Sequence, residues 1–182
     1  LFYLLTLLVI FLLFFNFDNN FSDLFLSITS SVSNIGFSLD NNSTNISFVF
    51  LILVIIGGSF FSTSSGIRFL KIYSLFKYSI NEILSYSKPK NIYINKHLFS
   101  KDTFKLDEIY KYFLSIIIFI ISLLFLIFLL TLSGIEFESS FKISILTLMN
   151  TVNSSMYGLG NFSFYDLHFF TKYYLILFMI IG

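Results

Sequence analysis

Phe21-Ser22-Asp23-Leu24-Phe25-Leu26-Ser27-Ile28-Thr29-Ser30-Ser31-Val32-Ser33-Asn34-Ile35-Gly36-Phe37-Ser38 is the stretch on which the fold turns. It mixes apolar and hydroxyl residues and has too few apolar ones to cross a membrane. About ten residues of helix reach only about half of the roughly 30 Å hydrocarbon layer. Non-helical backbone at that depth survives only inside protein or beside water. The stretch therefore predicts a re-entrant segment, a short helix entering the membrane and an extended chain leaving it. Its Ser, Thr and Asn side chains can satisfy such a backbone, and Gly36 permits a positive φ that other residues resist. The competing reading is an amphipathic helix lying on the membrane surface, rich in Phe and Ser.

Its surroundings are those of a membrane protein. Of the 182 residues 56% are hydrophobic and 12% charged, against roughly 25% charged in an average soluble domain, and the mean hydropathy is +0.86. Charge gaps mark the spans, because a helix surrounded by lipid is apolar all round. Tyr112 to Ile135 is uncharged, with about 20 Leu, Ile and Phe-rich residues at its core. Leu1 to Phe17 is uncharged as far as Asp18, and Tyr173 to Gly182 is apolar. Asn41 to Ile67 is uncharged but uneven, its apolar core Phe48 to Ile56 giving way to Gly57-Gly58-Ser59-Phe60-Phe61-Ser62-Thr63-Ser64-Ser65-Gly66. The chain opens and closes within apolar runs, as a fragment cut at both ends would. Residues 1 to 17 lack the basic start and small-residue cleavage site of a signal peptide.

Composition also excludes classes of chemistry. Without Cys there are no disulfides, thiol nucleophiles or thiolate metal sites, and the two His residues stand far apart. A net charge of +1 gives no reason to expect a nucleic-acid partner. The 27 Phe with no Trp fit an AT-rich coding bias and carry no functional weight.

Lys and Arg set the orientation. Arg68, Lys71, Lys77, Lys88, Lys90, Lys96, Lys101, Lys105 and Lys111 all fall between residues 68 and 111, so this stretch should be cytoplasmic. Lys142 and Lys172 then face outward with Asp18, Asp23, Asp40, Glu136, Glu138 and Asp166.

A second segment shares the character of the first. Shifting the sequence by 120 residues aligns Phe21 with Phe141, Leu26 with Leu146, Ser27 with Thr147, Ser31 with Thr151, Val32 with Val152 and Phe37 with Tyr157. The spans flank both segments in the same order, which predicts two span, re-entrant segment, span units. A short helix entering from outside aims its partly negative C-terminal end at the membrane centre. The strand that follows can then offer a column of carbonyl oxygens to replace a cation's hydration shell. Two copies cannot surround an axis, so a pore needs more.

At these residues the chain resembles the Trk/Ktr/HKT superfamily of potassium and sodium uptake proteins, specifically the C-terminal half of a Trk-type membrane subunit. Ser33-Asn34-Ile35-Gly36-Phe37-Ser38 is similar to the filter strand of the third repeat. Gly57 to Arg68 is similar to the Gly-rich helix break that follows it, the most specific part of the match. Asn153-Ser154-Ser155-Met156-Tyr157-Gly158-Leu159-Gly160 stands where the family has its fourth filter strand, and Leu175 to Gly182 resembles the last helix. The resemblance implies an all-α membrane protein of potassium-channel-like, four-repeat architecture. Residues 1–77 would be the third repeat with its start truncated, 78–111 a basic cytoplasmic linker, and 112–182 the fourth repeat with its end truncated.

The function so implied is potassium uptake in the bacterial inner membrane, with K+ as the transported ion and no cofactor in this chain. Filter residues would be Ser33, Asn34, Ile35, Gly36, Asn153, Ser154, Ser155 and Met156, with main-chain oxygens of Asn34, Ile35, Ser154 and Ser155 as ion ligands. Gly57, Gly58, Ser59, Phe61, Ser62, Thr63 and Gly66 would belong to an intramembrane gate loop. Partners would be a second full-length chain, a cytosolic nucleotide-binding gating subunit and membrane lipid. In the break, Phe61 and Ser65 replace family glycines, which should stiffen it. Met156 falls at the fourth filter Gly, where left-handed backbone would be resisted; either the filter is asymmetric or the strand slips so that Gly158 serves. The other function considered is a membrane-embedded enzyme such as a lipid-linked sugar transferase or polymerase. Its candidate acids, Asp166 with His168 and Glu136 with Glu138, lack partners at catalytic spacing, so the chain is read as no enzyme.

Overall fold

The structure, a computed structural model, describes residues 21–37, 44–56, 67, 69–86, 106–152, 155–160, 162–165 and 167–182. These residues are helical and include no strand. The elements are α1 (Phe21–Val32), α2 (Thr44–Ile56), α3 (Phe69–Ser85), α4 (Leu106–Leu132), α5 (Phe137–Leu148), a 3₁₀ turn (Ser155–Tyr157) and α6 (Phe169–Ile181). The first expected span and residues 57–66 lie outside the described residues.

Within α4, Asp107–Leu132 is long and apolar enough to cross a membrane, and only 22% of its most apolar window is buried. A core helix would hide most of that surface; this one turns Leu114, Ile118, Ile121, Leu124, Phe125 and Phe128 outward. Asp107 and Glu108 in its first turn suit the positive end of the helix dipole. Ser47–Ile56 and Phe169–Ile181 are shorter apolar helices. The helix expected from residue 112 begins six residues earlier, and α3 runs on past residue 77. Both ends of the stretch 78–111 are thus helical. Charges at Lys71, Lys77 and Glu82 hid α3 from a search for uncharged spans, although Ile72, Leu75, Phe76, Ser79 and Ile83 keep helical spacing.

Helix α5 sits in the middle, packed on α2, α4 and α6. Its buried side chains include Ile145, Leu146 and Leu148, which join Phe50, Leu51 and Val54 of α2 and Leu126 and Leu130 of α4 in one core. The two short helices bury small hydroxyl residues: Ser27, Ser30 and Ser31 on α1, and Ser140, Ser144 and Thr147 on α5. Three of these bond back to their own helix, Ser31 Oγ to the Ser27 carbonyl (2.8 Å), Ser144 Oγ to Ser140 (2.7 Å) and Thr147 Oγ1 to Ile143 (2.7 Å). Such bonds satisfy a buried hydroxyl without a partner helix, and small side chains let neighbouring backbones approach.

Candidate functional site

The two short helices end in the same way. After α1, the Asn34 N–H donates to the Ser31 carbonyl (3.2 Å) and the Ile35 N–H to Ser30 (3.0 Å), with Asn34 at φ 58°. After α5, the Asn150 N–H donates to Thr147 (3.2 Å) and the Thr151 N–H to Leu146 (2.9 Å), with Asn150 at φ 51°. Both are Schellman closures with a left-handed residue, a position that Asn tolerates better than most non-glycine residues. Each helix has 12 residues, and Phe137 stands 116 residues after Phe21, the same interval as Asn150 after Asn34. The two helices and their left-handed caps thus stand 116 residues apart, four fewer than the shift of 120 at which the sequence aligns with itself. Phe, Ser and Thr recur so often in both segments that several shifts align similar residues; hydrogen bonds at the caps select one.

Beyond the caps the two chains meet. Gly36 has φ 77°, and a Cβ built there would lie 2.3 Å from the Val152 carbonyl oxygen and 3.0 Å from Thr151 Cγ2. Only glycine accepts both that backbone angle and that approach. The Phe37 N–H donates to Ser30 Oγ (2.6 Å), which folds the outgoing strand back onto the end of α1. Ile35, Phe37 and Val152 remain exposed around the junction. Ser31 Oγ also donates to Met156 Sδ (3.8 Å), and α2 packs on the 3₁₀ turn, so α1 and α2 both meet it.

The expected filter residues separate into two groups. Ser33, Asn34, Ile35 and Gly36 leave α1 together, whereas Asn153 and Ser154 lie outside the described residues. Ser155 and Met156 form the 3₁₀ turn, closed by the Gly158 N–H donating to the Ser155 carbonyl (2.9 Å), rather than an extended strand. Met156 is fully buried and does not adopt a left-handed backbone; Gly158 does, at φ 73°. By cap geometry the partner of Gly36 in the second unit is Val152, four residues before Met156. The expected gate residues Gly57, Gly58, Ser59, Phe61, Ser62, Thr63 and Gly66 are all outside the described residues.

Asp166 is outside the described residues and His168 is exposed at the start of α6. Glu138 forms an ion pair with Lys142, whose hydrogen bond first and charge second hold the Glu138 carboxyl below its usual range. An exposed carboxylate kept ionised is the reverse of a poised general acid. Among the described residues no group of three His, Cys, Asp or Glu could hold a metal ion.

No family model and no curated protein matches the chain. The 12-residue helices α1 and α5 close alike, and the backbones leaving them approach each other at Gly36 and Val152. The C-terminal ends of both helices carry partial negative charge.

Proposed function

We propose that the chain is part of a potassium uptake pore in a bacterial inner membrane, built from span, re-entrant helix, span units. The observation that supports this reading most is the twin junction, in which Gly36 and Val152 bring two re-entrant segments into backbone contact. Main-chain oxygens of Asn34 and Ile35 on one side, and of the chain from Thr151 through Ser155 on the other, line the ion path. Two segments enclose only part of an axis, so further units complete it. The resemblance to Trk-type subunits supplies the rest of the reading: four units per full-length chain, a dimer of such chains, and a nucleotide-binding ring on the cytoplasmic side as the gate. Uptake by the full-length protein in cells lacking other potassium transporters tests it. Growth in low potassium supports the pore, and no rescue by a membrane-inserted protein refutes it.

Two expectations belong to this reading. A single Cys at Asn91 should be labelled by an impermeant thiol reagent only after the cells are opened, because the basic stretch is cytoplasmic. Labelling from outside intact cells would reverse the topology. Deleting Ser62 to Ser65 should leave the pore leaky, as fewer atoms would then obstruct the axis. Flux still fully dependent on the gating partner would make that segment a packing feature.

A further inference from the structure

Tyr157 is fully buried in the 3₁₀ turn, the only buried tyrosine among the described residues, and its hydroxyl makes no hydrogen bond. A buried hydroxyl left unpaired is costly, because it gives up water and gains nothing in return. Phenylalanine, of which the chain has 27, would fill the same space without that cost. The oxygen is therefore the part of this side chain that packing does not explain.

Beside it lies Ser31, in the last turn of α1. Ser31 has one hydroxyl proton, given to the Ser27 carbonyl (2.8 Å) or, at longer range, to Met156 Sδ (3.8 Å). Its oxygen keeps lone pairs that can accept, and the Tyr157 hydroxyl has a proton to donate. Ser31 is also the residue whose carbonyl takes the Asn34 N–H (3.2 Å), which helps to close the left-handed cap. Tyr157 is itself held, because the Gly158 N–H donates to the Ser155 carbonyl (2.9 Å) around it and α2 packs on the turn. A fixed donor from one segment thus stands beside the residue that shapes the exit of the other.

We infer that Tyr157 is a positioning residue for ion selectivity: its hydroxyl donates to Ser31 Oγ in the full-length protein and keeps the last turn of α1, with the Asn34 and Ile35 carbonyls that follow, from shifting. The inference rests on the pore reading given above and adds to it a residue that touches no ion. Carbonyl sites discriminate through cavity size or through the field of their dipoles, and both change if that turn moves. Met156 does not supply the same restraint, since a thioether is a weak acceptor and cannot donate.

Potassium and sodium uptake by the full-length protein, measured beside the thermal midpoint of the same purified variants, tests this role. Y157F removes one oxygen from a packed ring and should leave potassium uptake within about twofold. Its potassium-to-sodium uptake ratio should fall about fivefold, the size expected from one lost hydrogen bond. S31A should lower the ratio as far, and the double variant no further, because both substitutions break the same bond. An unchanged ratio in Y157F, whatever its midpoint, would make the tyrosine a packing residue and overturn the role. Additive falls in the double variant would break the link through Ser31 and overturn it equally. Absence of selective potassium uptake by the wild-type protein refutes the pore and this role with it, whereas selective uptake that Y157F leaves unchanged refutes the role alone.

Discussion

Replacing Gly36 by alanine should abolish potassium uptake by the full-length protein while leaving it inserted in the membrane. A left-handed backbone costs a non-glycine residue about 1–2 kcal/mol, and here the added methyl also meets the Val152 carbonyl at 2.3 Å. Neither partner yields easily, because the methyl is fixed to a backbone held by the cap of α1 and the carbonyl belongs to the backbone that follows the cap of α5. The two strands must separate, and carbonyls aimed by that contact lose their alignment. Val152→Ala, at a residue that is 65% exposed, should change uptake less than twofold, because Val152 meets Gly36 through its main-chain atoms. Rates of radiotracer uptake at matched membrane expression distinguish the two. Normal uptake in Gly36→Ala would remove the junction from the ion path.

Gly182→Ala should act on the same helix from its other side. A Cβ at Gly182 would approach the Leu148 carbonyl oxygen, carbon and Cα within 3.0 Å, all of them backbone atoms at the end of α5. Overpacking of this kind typically costs about 1–3 kcal/mol, and relief requires α6 to move away from α5. The thermal midpoint of the purified full-length protein should fall by several degrees. Uptake should decline with it, because the cap at Asn150 rides on the same helix end. An unchanged midpoint would mean that α6 and α5 are not in backbone contact.

Different parts of this fold were legible for different physical reasons. α4 was readable because lipid exposure demands an unbroken apolar surface, and nothing charged interrupts residues 112 to 135. α1 and the departure of Ser33 to Gly36 from it were readable because a hydroxyl-rich helix too short to span has few other uses. α3 was hidden by its lysines, long side chains whose charged ends can reach water or a hydroxyl, as Lys71 does with Ser115. The register of the second unit was hidden more deeply. Asn150 carries the left-handed cap, yet Asn is common throughout this chain, and the Gly that marks the first junction is replaced by Val152. Met156, expected at the fourth filter position, is buried beside Ser31.

The proposed potassium path runs through the junction that follows α1 and α5, and accessibility at Ile35 probes that path. Ile35 is 58% exposed and adjoins Gly36. In a cysteine-free full-length background, Ile35→Cys should react with a membrane-impermeant cationic thiol reagent added from outside, and modification should block potassium influx. High external potassium should slow the reaction, because the ion occupies the same path. Complete modification with undiminished influx, or a modification rate indifferent to potassium, would contradict the account.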